Sequence, residues 1–385
     1  MTWRSGCLFS IFLCCVTLFL ALQYRGQRDE VKHQSNQLWQ QLSGHLDTAR
    51  RFVSYQSWRG YILPASTVRT GKWSRIDPGW PGFSKTKALA VYNGMLCAGF
   101  LSEQPGTEVW CLDEKWERIG HWPNRSYVPF LVSFDGDLYA GVDSEVWRYR
   151  GGEWTKTGSV GQGCIAYSGH VHEGTLWVGS LRCGAALYRL HGDRLLHAGT
   201  IENRRYMGIY ELHSHDGNLY IGAAASYGSG AVFRYGREFT KIGGDGVNGS
   251  WLDPGFMWPE SFASFDGKLI VSMSNATRSP ASPFWAWDGT EWKPLGPPPD
   301  GWAGMNNFNA LLAFGECLLV SAGEIPGRRA SVWAIGHSGF VPVSRFGALA
   351  NAHAEYVYRM IEWRGMAVAG FGDGPGMAQI WAFSQ

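Results

Sequence analysis

The feature that most constrains this chain is a unit of short strands that recurs seven times. In its clearest copy, Ser133–Gly158, an Asp-Gly turn joins two apolar stretches, and an aromatic hairpin of the form EVWRYRGGEW follows. Successive copies lie 38 to 50 residues apart. Periods of about 40 to 50 residues with four short strands are typical of the blades of a β-propeller. The repeat therefore predicts a fold clearly, whereas it predicts no activity.

Three positions of this unit recur along the chain. The residue before the second strand is Gly94, Gly136, Gly174, Gly217, Gly267, Glu316 or Gly365. Five residues later stands a small residue: Gly99, Gly141, Gly179, Gly222, Ser272, Ser321 or Gly370. An aromatic landmark then follows: Trp110, Trp147, Tyr188, Phe233, Trp285, Trp333 or Trp381. The Asp-Gly and Asn-Gly pairs predict tight hairpin turns, and the small residues predict close approach of a neighbouring backbone.

The last copy ends at Gln385 before it can supply a fourth strand. A matching segment stands near the other end of the chain, where Lys72–Ile76 (KWSRI) repeats the pattern of Lys115–Ile119 (KWERI). A ring of sheets closes when a strand from one chain end completes the last blade. We therefore expect seven four-stranded blades, with Lys72–Ile76 completing the blade begun by Val357–Ser384. The alternative is six blades and an unrelated terminal strand.

These repeats resemble those of kelch-like and related secreted β-propellers over Lys72–Gln385. A single glycine, such as Gly141 or Gly222, stands where kelch repeats carry two. The resemblance implies the architecture alone, and no motif carries catalytic residues over from an enzyme family.

The N-terminal part predicts a membrane element and a stalk. Residues 6–22 form an apolar run without a charge, which favours a signal anchor over a cleaved signal peptide or a cytoplasmic start. Apolar residues in 29–53 recur at helical spacing and predict a short amphipathic helix. This helix would form a homodimeric coiled coil or lie against the propeller. The expected domains are residues 1–24 (anchor or signal), 25–71 (stalk) and 72–385 (propeller), facing the periplasm or cell exterior, or secreted after cleavage.

Cysteines and glycosylation sequons agree with an exported protein but do not establish one. Beyond the apolar run stand Cys97, Cys111, Cys164, Cys183 and Cys317. Cys97 with Cys111, or Cys164 with Cys183, would bridge in an oxidising compartment, and buried free thiols are the alternative. Sequons begin at Asn124, Asn248 and Asn275, all in expected loops.

Composition and motifs argue against several functions. A net charge of +2 gives no electrostatic basis for nucleic-acid binding. The chain has no phosphate-binding loop, dinucleotide fingerprint or nucleophile elbow, so we expect no cofactor. His170-Val171-His172 and His213-Ser214-His215 each place two imidazoles on one strand face, but we expect no metal site.

The longer loops of the later copies predict an asymmetric rim that carries the site. The ligand-binding candidates on this rim are Arg182, Arg205, Tyr206, Glu211, Trp258, Glu260, Asn307, Asn309, His353, Glu355 and Arg359. Such a mixture of carboxylates, arginines, amides and aromatics suits a glycan or protein ligand.

We therefore expect a membrane-tethered, extracytoplasmic binding module. The alternative function is a carbohydrate-active hydrolase or lyase in which two of Glu211, Glu260 and Glu355 act as an acid/base pair. In a third reading these polar residues only bond one another and water. The distance and pairing of the carboxylates discriminate between these functions.

Overall fold

The computed structural model describes residues 71–201, 205–275, 282–296, 308–323, 330–336, 339–345, 356–374 and 376–384. By internal contacts the chain divides into two units, Met1–Gly60 and Tyr61–Gln385, and every described residue belongs to the second. The expected anchor and stalk lie outside the described residues, apart from Gly71. No helix among the residues described has the length and apolar character needed to cross a membrane.

The described part of the chain is all-β, and its 28 strands pair antiparallel in five sheets, three of four strands and two of eight. Each eight-stranded sheet consists of two four-stranded units joined by a single residue pair, Leu181 with Gly208 in one sheet and Lys85 with Gly372 in the other. In chain order the strands are β1 (Lys72–Arg75); β2 (Phe83–Tyr92), β3 (Met95–Ser102), β4 (Thr107–Leu112), β5 (Trp116–Trp122); β6 (Leu131–Phe134), β7 (Asp137–Val142), β8 (Glu145–Arg150), β9 (Glu153–Ser159); β10 (Ile165–His172), β11 (Thr175–Leu181), β12 (Ala186–His191), β13 (Arg194–Thr200); β14 (Tyr206–His215), β15 (Asn218–Ala225), β16 (Ala231–Tyr235), β17 (Phe239–Gly243); β18 (Phe256–Phe265), β19 (Lys268–Asn275), β20 (Phe284–Trp287), β21 (Trp292–Pro294); β22 (Leu311–Phe314), β23 (Cys317–Ala322), β24 (Ser331–Gly336), β25 (Gly339–Arg345); and β26 (Tyr356–Trp363), β27 (Met366–Gly372), β28 (Gln379–Ser384). Each of the first six units runs through four consecutive strands, β2–β5 being the first unit and β22–β25 the sixth.

The seventh unit takes its fourth strand from the other end of the chain. β1 pairs antiparallel with β28, so that Lys72 lies opposite Ser384 and Arg75 opposite Trp381. The first strand of every unit contacts the first strand of the next, and β26 of the seventh unit contacts β2 of the first. The pairing expected for the KWSRI segment is therefore present.

The turns follow the sequence pattern. At the first of them, Asn93 and Gly94 have φ angles of 48° and 78°, the left-handed region that Asn and Gly tolerate best. In the sixth unit the order is reversed, because Gly315 takes the positive φ of 58° and Glu316 follows it. The expected hairpins are thus formed even in the copy whose turn residue is Glu316.

Small residues five positions after the turn allow adjacent units to touch. A Cβ on Gly141 would lie 2.4 Å from the carbonyl oxygen of Ala166 in the next unit. A Cβ on Gly370 would lie 2.8 Å from the carbonyl oxygen of Thr86, which again belongs to the following unit around the ring of contacts. Because both faces of a strand such as β7 are buried, the core consists of layers between successive units.

Tryptophans on the fourth strands also link neighbouring units. Trp154 Nε1 donates to the carbonyl oxygen of Ile119 in the preceding unit at 2.8 Å. Trp292 makes the same bond to Ile242 at 2.8 Å. Trp116 bonds to the carbonyl oxygen of Ile76, directly after β1, also at 2.8 Å. The end of β1 therefore takes the place that a preceding fourth strand takes elsewhere.

Both cysteine pairs suggested by the sequence are disulfide-bonded. Cys97 and Cys111 lie opposite each other on β3 and β4, and Cys164 is joined to Cys183 in the third unit. Cys317 is a buried free thiol. The alternative of free thiols holds for Cys317 alone among these five.

Candidate functional site

The site begins with an irregularity in the first strands of the units. In five of these strands the register shifts by one residue, which marks a β-bulge. At the shift nearer the turn the extra residues are Lys87, Tyr167, Tyr210, Glu260 and Tyr358, and three of the strands carry a second shift closer to their start. A bulged residue leaves the ladder pairing, and its side chain is aimed in a new direction. All five line one cavity.

We refer to these five residues as the axial ring. Each stands seven residues before the turn residue of its own copy, and Pro129 takes the same position in the second copy and lines the same cavity. The cavity measures about 20 Å³. That volume accommodates a water-sized group, because a cavity needs roughly 10–15 Å³ to hold one water molecule. The side chains of the axial ring thus nearly fill the space that they surround.

Two lysines lie against the aromatic faces of tyrosines in the axial ring. Lys87 Nζ lies 5.3 Å from the ring centroid of Tyr167 and 5.4 Å from that of Tyr358. Lys85 Nζ lies 4.7 Å from the Tyr358 centroid and 3.2 Å from both the Tyr358 hydroxyl and Asp373 Oδ1. Both ammonium groups gain cation–π attraction, and Lys85 also gains an ion pair.

The tyrosines form a continuous aromatic contact across three units. The centroid of Tyr167 lies 6.3 Å from that of Tyr127 and 4.8 Å from that of Tyr210. Burial raises the pKa of Tyr127, Tyr167, Tyr210 and Tyr358 well above the ordinary phenol value. These hydroxyls are therefore neutral donors and acceptors at physiological pH.

Glu260 is the acidic member of the axial ring. Burial raises the pKa of its carboxyl group, and the negative charge of Glu211 raises it further, whereas Lys87 and a hydrogen bond with Ser274 oppose the shift. The side chain is half-buried because it lines the cavity, and the protein around it is close enough for burial to be the main influence on its pKa. Among the described residues Glu260 forms no ion pair.

Glu211 has a different role from Glu260. Arg359 Nη1 donates to Glu211 Oε2 at 2.8 Å, which joins β14 to β26 across the cavity. The Glu211 side chain is 11% exposed and the Arg359 side chain 35% exposed. The sequence analysis made Glu211 a ligand-binding candidate and, under the alternative function only, one carboxylate of a possible acid/base pair; in the structure a guanidinium holds it.

A second group of predicted residues lies at the start of the fourth unit. We define the rim cluster as Arg205, Tyr206, Lys241 and Asp245. Arg205 Nη2 donates to Asp245 Oδ2 and to the Tyr206 hydroxyl, at 2.6 and 2.7 Å, and its guanidinium lies 4.9 Å from the Tyr206 ring centroid. Lys241 Nζ reaches the same Asp245 oxygen at 2.5 Å.

Two exposed apolar side chains flank the rim cluster. Tyr227 is 63% exposed and Leu252 is 58% exposed. A Cβ on Gly228, next to Tyr227, would lie 3.6 Å from Arg205, and one on Gly246, next to Asp245, would lie 2.7 Å from Leu252. Both exposed apolar side chains therefore lie near the rim cluster.

The remaining predicted residues are distributed unevenly. Arg182 is exposed, and its backbone nitrogen bonds to the carbonyl oxygen of Met207. Asn309 is buried and accepts a hydrogen bond from Ser274 Oγ at 3.4 Å. Trp258 is half-buried, and its Nε1 has no protein acceptor among the described residues. The three others, Asn307, His353 and Glu355, lie outside the described residues.

Of the predicted residues, Glu211, Glu260 and Arg359 line the cavity, while Arg205 and Tyr206 belong to the rim cluster. Sequence reasoning missed four members of the axial ring, which are Lys87, Tyr167, Tyr210 and Tyr358. Their common offset of seven residues from the turn was available in the sequence. At that offset the copies carry Lys, Pro, Tyr, Tyr, Glu, Asn and Tyr, an unusually polar series for the first strand of a buried unit.

The two His-x-His pairs hold serines of neighbouring units. Ser214 Oγ lies 2.9 Å from His170 Nε2 and 3.0 Å from His172 Nδ1. Ser264 Oγ lies 3.0 Å from His213 Nε2 and 2.9 Å from His215 Nδ1. We call this arrangement the histidine–serine ladder.

Burial, assisted by Arg359 and neighbouring histidines, lowers the pKa of His170 to about 4 and that of His213 to about 3. No group of three or more His, Cys, Asp or Glu side chains among the described residues has a geometry suited to a metal ion.

Comparison with known proteins identifies the fold alone. No family model and no curated protein matches this chain. Among solved structures, the chain is similar to the extracellular domain of a hybrid two-component system from B. thetaiotaomicron, with 14% identity, a TM-score of 0.58 and 80% of this chain covered. The match spans 39% of that protein's chain.

The chain is also similar to the WD40 β-propeller domain of Doa1, with 10% identity, a TM-score of 0.52, and 82% of this chain and 97% of that chain covered. At such low identity the likeness concerns architecture, so no role of either protein transfers with it. The chain thus has an all-β repeat fold of the β-propeller kind.

Proposed function

We propose that this protein is an extracytoplasmic binding module that recognises a glycan or protein ligand at the central channel and its asymmetric rim. The observation that carries this proposal is the axial ring, in which five bulged strands present two types of charge and three phenols to one cavity. Apolar or small residues would fill such a position more simply, since polar side chains cost free energy on burial unless they gain partners. Polar side chains concentrated at such a position favour recognition of a ligand.

The arrangement of carboxylates favours binding over hydrolysis. Glycoside hydrolysis needs two carboxyl groups flanking the substrate, about 5–10 Å apart, one of them free to donate a proton. Glu211 is engaged by Arg359, and Glu260 faces tyrosines and a lysine in a cavity of about 20 Å³. A sugar ring does not fit between two such carboxylates in this conformation.

The proposed architecture is a closed ring of seven four-stranded blades, related to kelch-like propellers in outline only. Three observations support the closure: β1 pairs with β28, β26 contacts β2, and Trp116 bonds to Ile76 as other tryptophans bond between consecutive units. In this arrangement residues 72–385 form the ring, and the axial ring surrounds its central channel.

The proposed location is the outer surface of a membrane. The apolar residues 6–22 would tether the chain, and residues 25–71 would act as a stalk that also joins two copies. The disulfides Cys97–Cys111 and Cys164–Cys183 support an oxidising compartment, because cytosolic thiols are kept reduced. Secretion after cleavage of the apolar run is the alternative.

A combined binding and turnover screen tests the proposed function. The full-length chain would be applied to a glycan array and incubated with the same glycans in solution. We expect saturable binding without product release. Turnover that disappears in Glu260→Gln would instead establish the hydrolase alternative. Binding abolished by Arg205→Ala but retained in Glu260→Gln would move the site from the channel to the rim cluster.

A further inference from the structure

The polar groups of the channel fall into two sets according to whether the protein satisfies them. In the closed set, Lys85 pairs with Asp373 and Tyr358, and Arg359 pairs with Glu211. These side chains neutralise one another and need no further partner. Each bond joins different units, and three of these side chains, Glu211, Tyr358 and Arg359, line the cavity.

The open set consists of Lys87, Tyr210 and Glu260. Among the described residues, the Lys87 ammonium has no hydrogen-bond acceptor, and only two tyrosine faces lie near it. The Tyr210 hydroxyl has no hydrogen-bond partner among the described residues either. Glu260 has Ser274 as its hydrogen-bond partner and no ion pair. All three line the same cavity, and Glu260 senses the charge of Lys87.

We propose that Lys87, Tyr210 and Glu260 form a binding site for a neutral carbohydrate, which inserts a hydroxyl-bearing edge between the ammonium and the carboxylate. This inference rests on the proposed binding function and names its ligand class. A hydroxyl group both accepts and donates hydrogen bonds, so it satisfies Lys87 through its oxygen and Glu260 through its proton. The Tyr210 hydroxyl can serve either role for the neighbouring group.

The charges of the cavity argue against other ligand classes. A polyanion would meet one unpaired cation, Lys87, together with the acidic Glu260. A cation would meet Lys87 over the tyrosine faces that would otherwise attract it. A neutral polyol preserves the balance of one positive and one negative side chain. An interface of protein size does not fit either, because only a small protruding group can enter about 20 Å³.

The cavity size sets the mode of recognition. A group as large as a hydroxyl or hydroxymethyl fits, whereas a complete sugar ring does not. The ring of the carbohydrate would therefore remain at the channel mouth, and a single edge of it would be read inside. Such a site selects the configuration of one or two hydroxyls on an exposed sugar.

The test compares ligand binding by variants of the open set. Full-length protein in a detergent without a sugar headgroup would be titrated with neutral hexoses, N-acetylhexosamines and oligosaccharides, and with uronic acids, by saturation-transfer NMR and calorimetry. We expect neutral sugars to bind, and Lys87→Met and Glu260→Gln to weaken binding about tenfold each, the cost of losing one charged hydrogen bond. Tyr210→Phe, which removes a single oxygen, should weaken it about three- to tenfold.

Matched controls separate this site from general effects. Lys72→Met and Glu238→Gln alter exposed side chains of the same types and should leave affinity unchanged. Thermal melting of each variant checks the fold, and Tyr210→Phe remains informative if the charge variants unfold. If all three open-set variants still bind sugar as the wild type does, the proposed site is wrong but the proposed binding function is not. If the protein prefers uronic acids, the proposed neutral ligand class is wrong. The same holds if it binds a protein ligand but no sugar. Failure of every glycan and protein ligand would count against both proposals.

Discussion

At the fifth position after the turn, one added Cβ atom would decide whether neighbouring units can still pack. At Gly141 the nearest obstacles to a side chain are a backbone oxygen and the ring of Phe130, at 2.4 and 2.5 Å. A backbone oxygen cannot rotate away as a side chain can. The sequence conveyed this requirement directly, since small residues stand there in all seven copies.

We expect Gly141→Ala to lower the free energy of unfolding by about 1–3 kcal/mol through overpacking. The matched control is Gly82→Ala, where an added Cβ meets nothing within 4 Å and should change the stability by less than about 0.5 kcal/mol. Chemical denaturation of both variants measures the difference. Equal effects at the two positions would contradict the packing explanation.

The histidine–serine ladder makes stability depend on pH. His170 and His213 have folded-state pKa values of about 4 and 3, below the value of about 6.5 in an unfolded chain. The unfolded state therefore binds more protons, and stability is full above pH 6.5 and falls as the pH drops toward 4. We expect a loss of about 1.5 kcal/mol per histidine between pH 6.5 and 5.

Denaturation curves at pH 6.5 and 5.0 measure this loss. The double variant His170→Gln with His213→Gln should flatten the dependence, because glutamine does not titrate. The control His197→Gln changes an exposed histidine on β13 and should leave the dependence intact. A dependence that survives in the double variant would assign it to other groups.

At the level of elements, hydrogen bonds from tryptophan connect the fourth strand of one unit to that of its predecessor. The bond from Trp154 to Ile119 has the same length as those from Trp116 and Trp292. Trp177 provides a contrast, because its Nε1 is buried with no protein acceptor among the described residues. Comparing the two tryptophans distinguishes the contribution of the hydrogen bond to stability from the contribution of ring packing.

We expect Trp154→Phe to cost about 1 kcal/mol more than Trp177→Phe. Both substitutions shrink the ring, but only the first leaves a carbonyl oxygen without its donor. The free energies of unfolding of the two variants give the comparison. A larger loss for Trp177→Phe would show that ring packing outweighs the inter-unit bond.

The sequence predicted the units, their turns and the partner of β1 because these depend on local patterns that repeat. It did not predict the axial ring, because a bulge interrupts the alternation on which strand reasoning depends. Tyr167 and Tyr210 read as ordinary apolar strand residues until their register is known. The pairing of Glu211 with Arg359 was also beyond reach, since 148 residues separate them. Asn307, His353 and Glu355 lie outside the described residues, so that part of the prediction stays a prediction.

For the whole molecule, the junction between the two ends of the described chain depends on β1, a short strand with a single buried side chain. Trp73 is 4% exposed and belongs to a core cluster that includes Val357, Trp381 and Phe383 of the last unit. The first and last units also share a second cluster, in which Leu96 packs with residues of β27 and β28. The two ends of the described chain are thus held together by two core clusters.

We expect Trp73→Ala to lower the free energy of unfolding by about 3–5 kcal/mol, as for other buried tryptophans. If the proposed ring is closed, amide hydrogen exchange should accelerate in both the first and the seventh units, because each loses its support at the junction. The variant Lys72→Met, at an exposed neighbouring position, is the control. Acceleration confined to β1 itself would identify this strand as an appendage.

The pairing of β1 with β28 also determines when the fold can be completed during synthesis. About 310 residues separate the two strands, so β1 leaves the ribosome long before its partner exists. At 5–20 residues per second, β1 would wait roughly 15–60 s with both edges unpaired. During that time the Trp73 strand offers an open edge to any other chain. The four-residue length of β1 and its three exposed side chains limit this hazard, so the strand that pairs with β28 is also suited to remaining unpaired until synthesis ends.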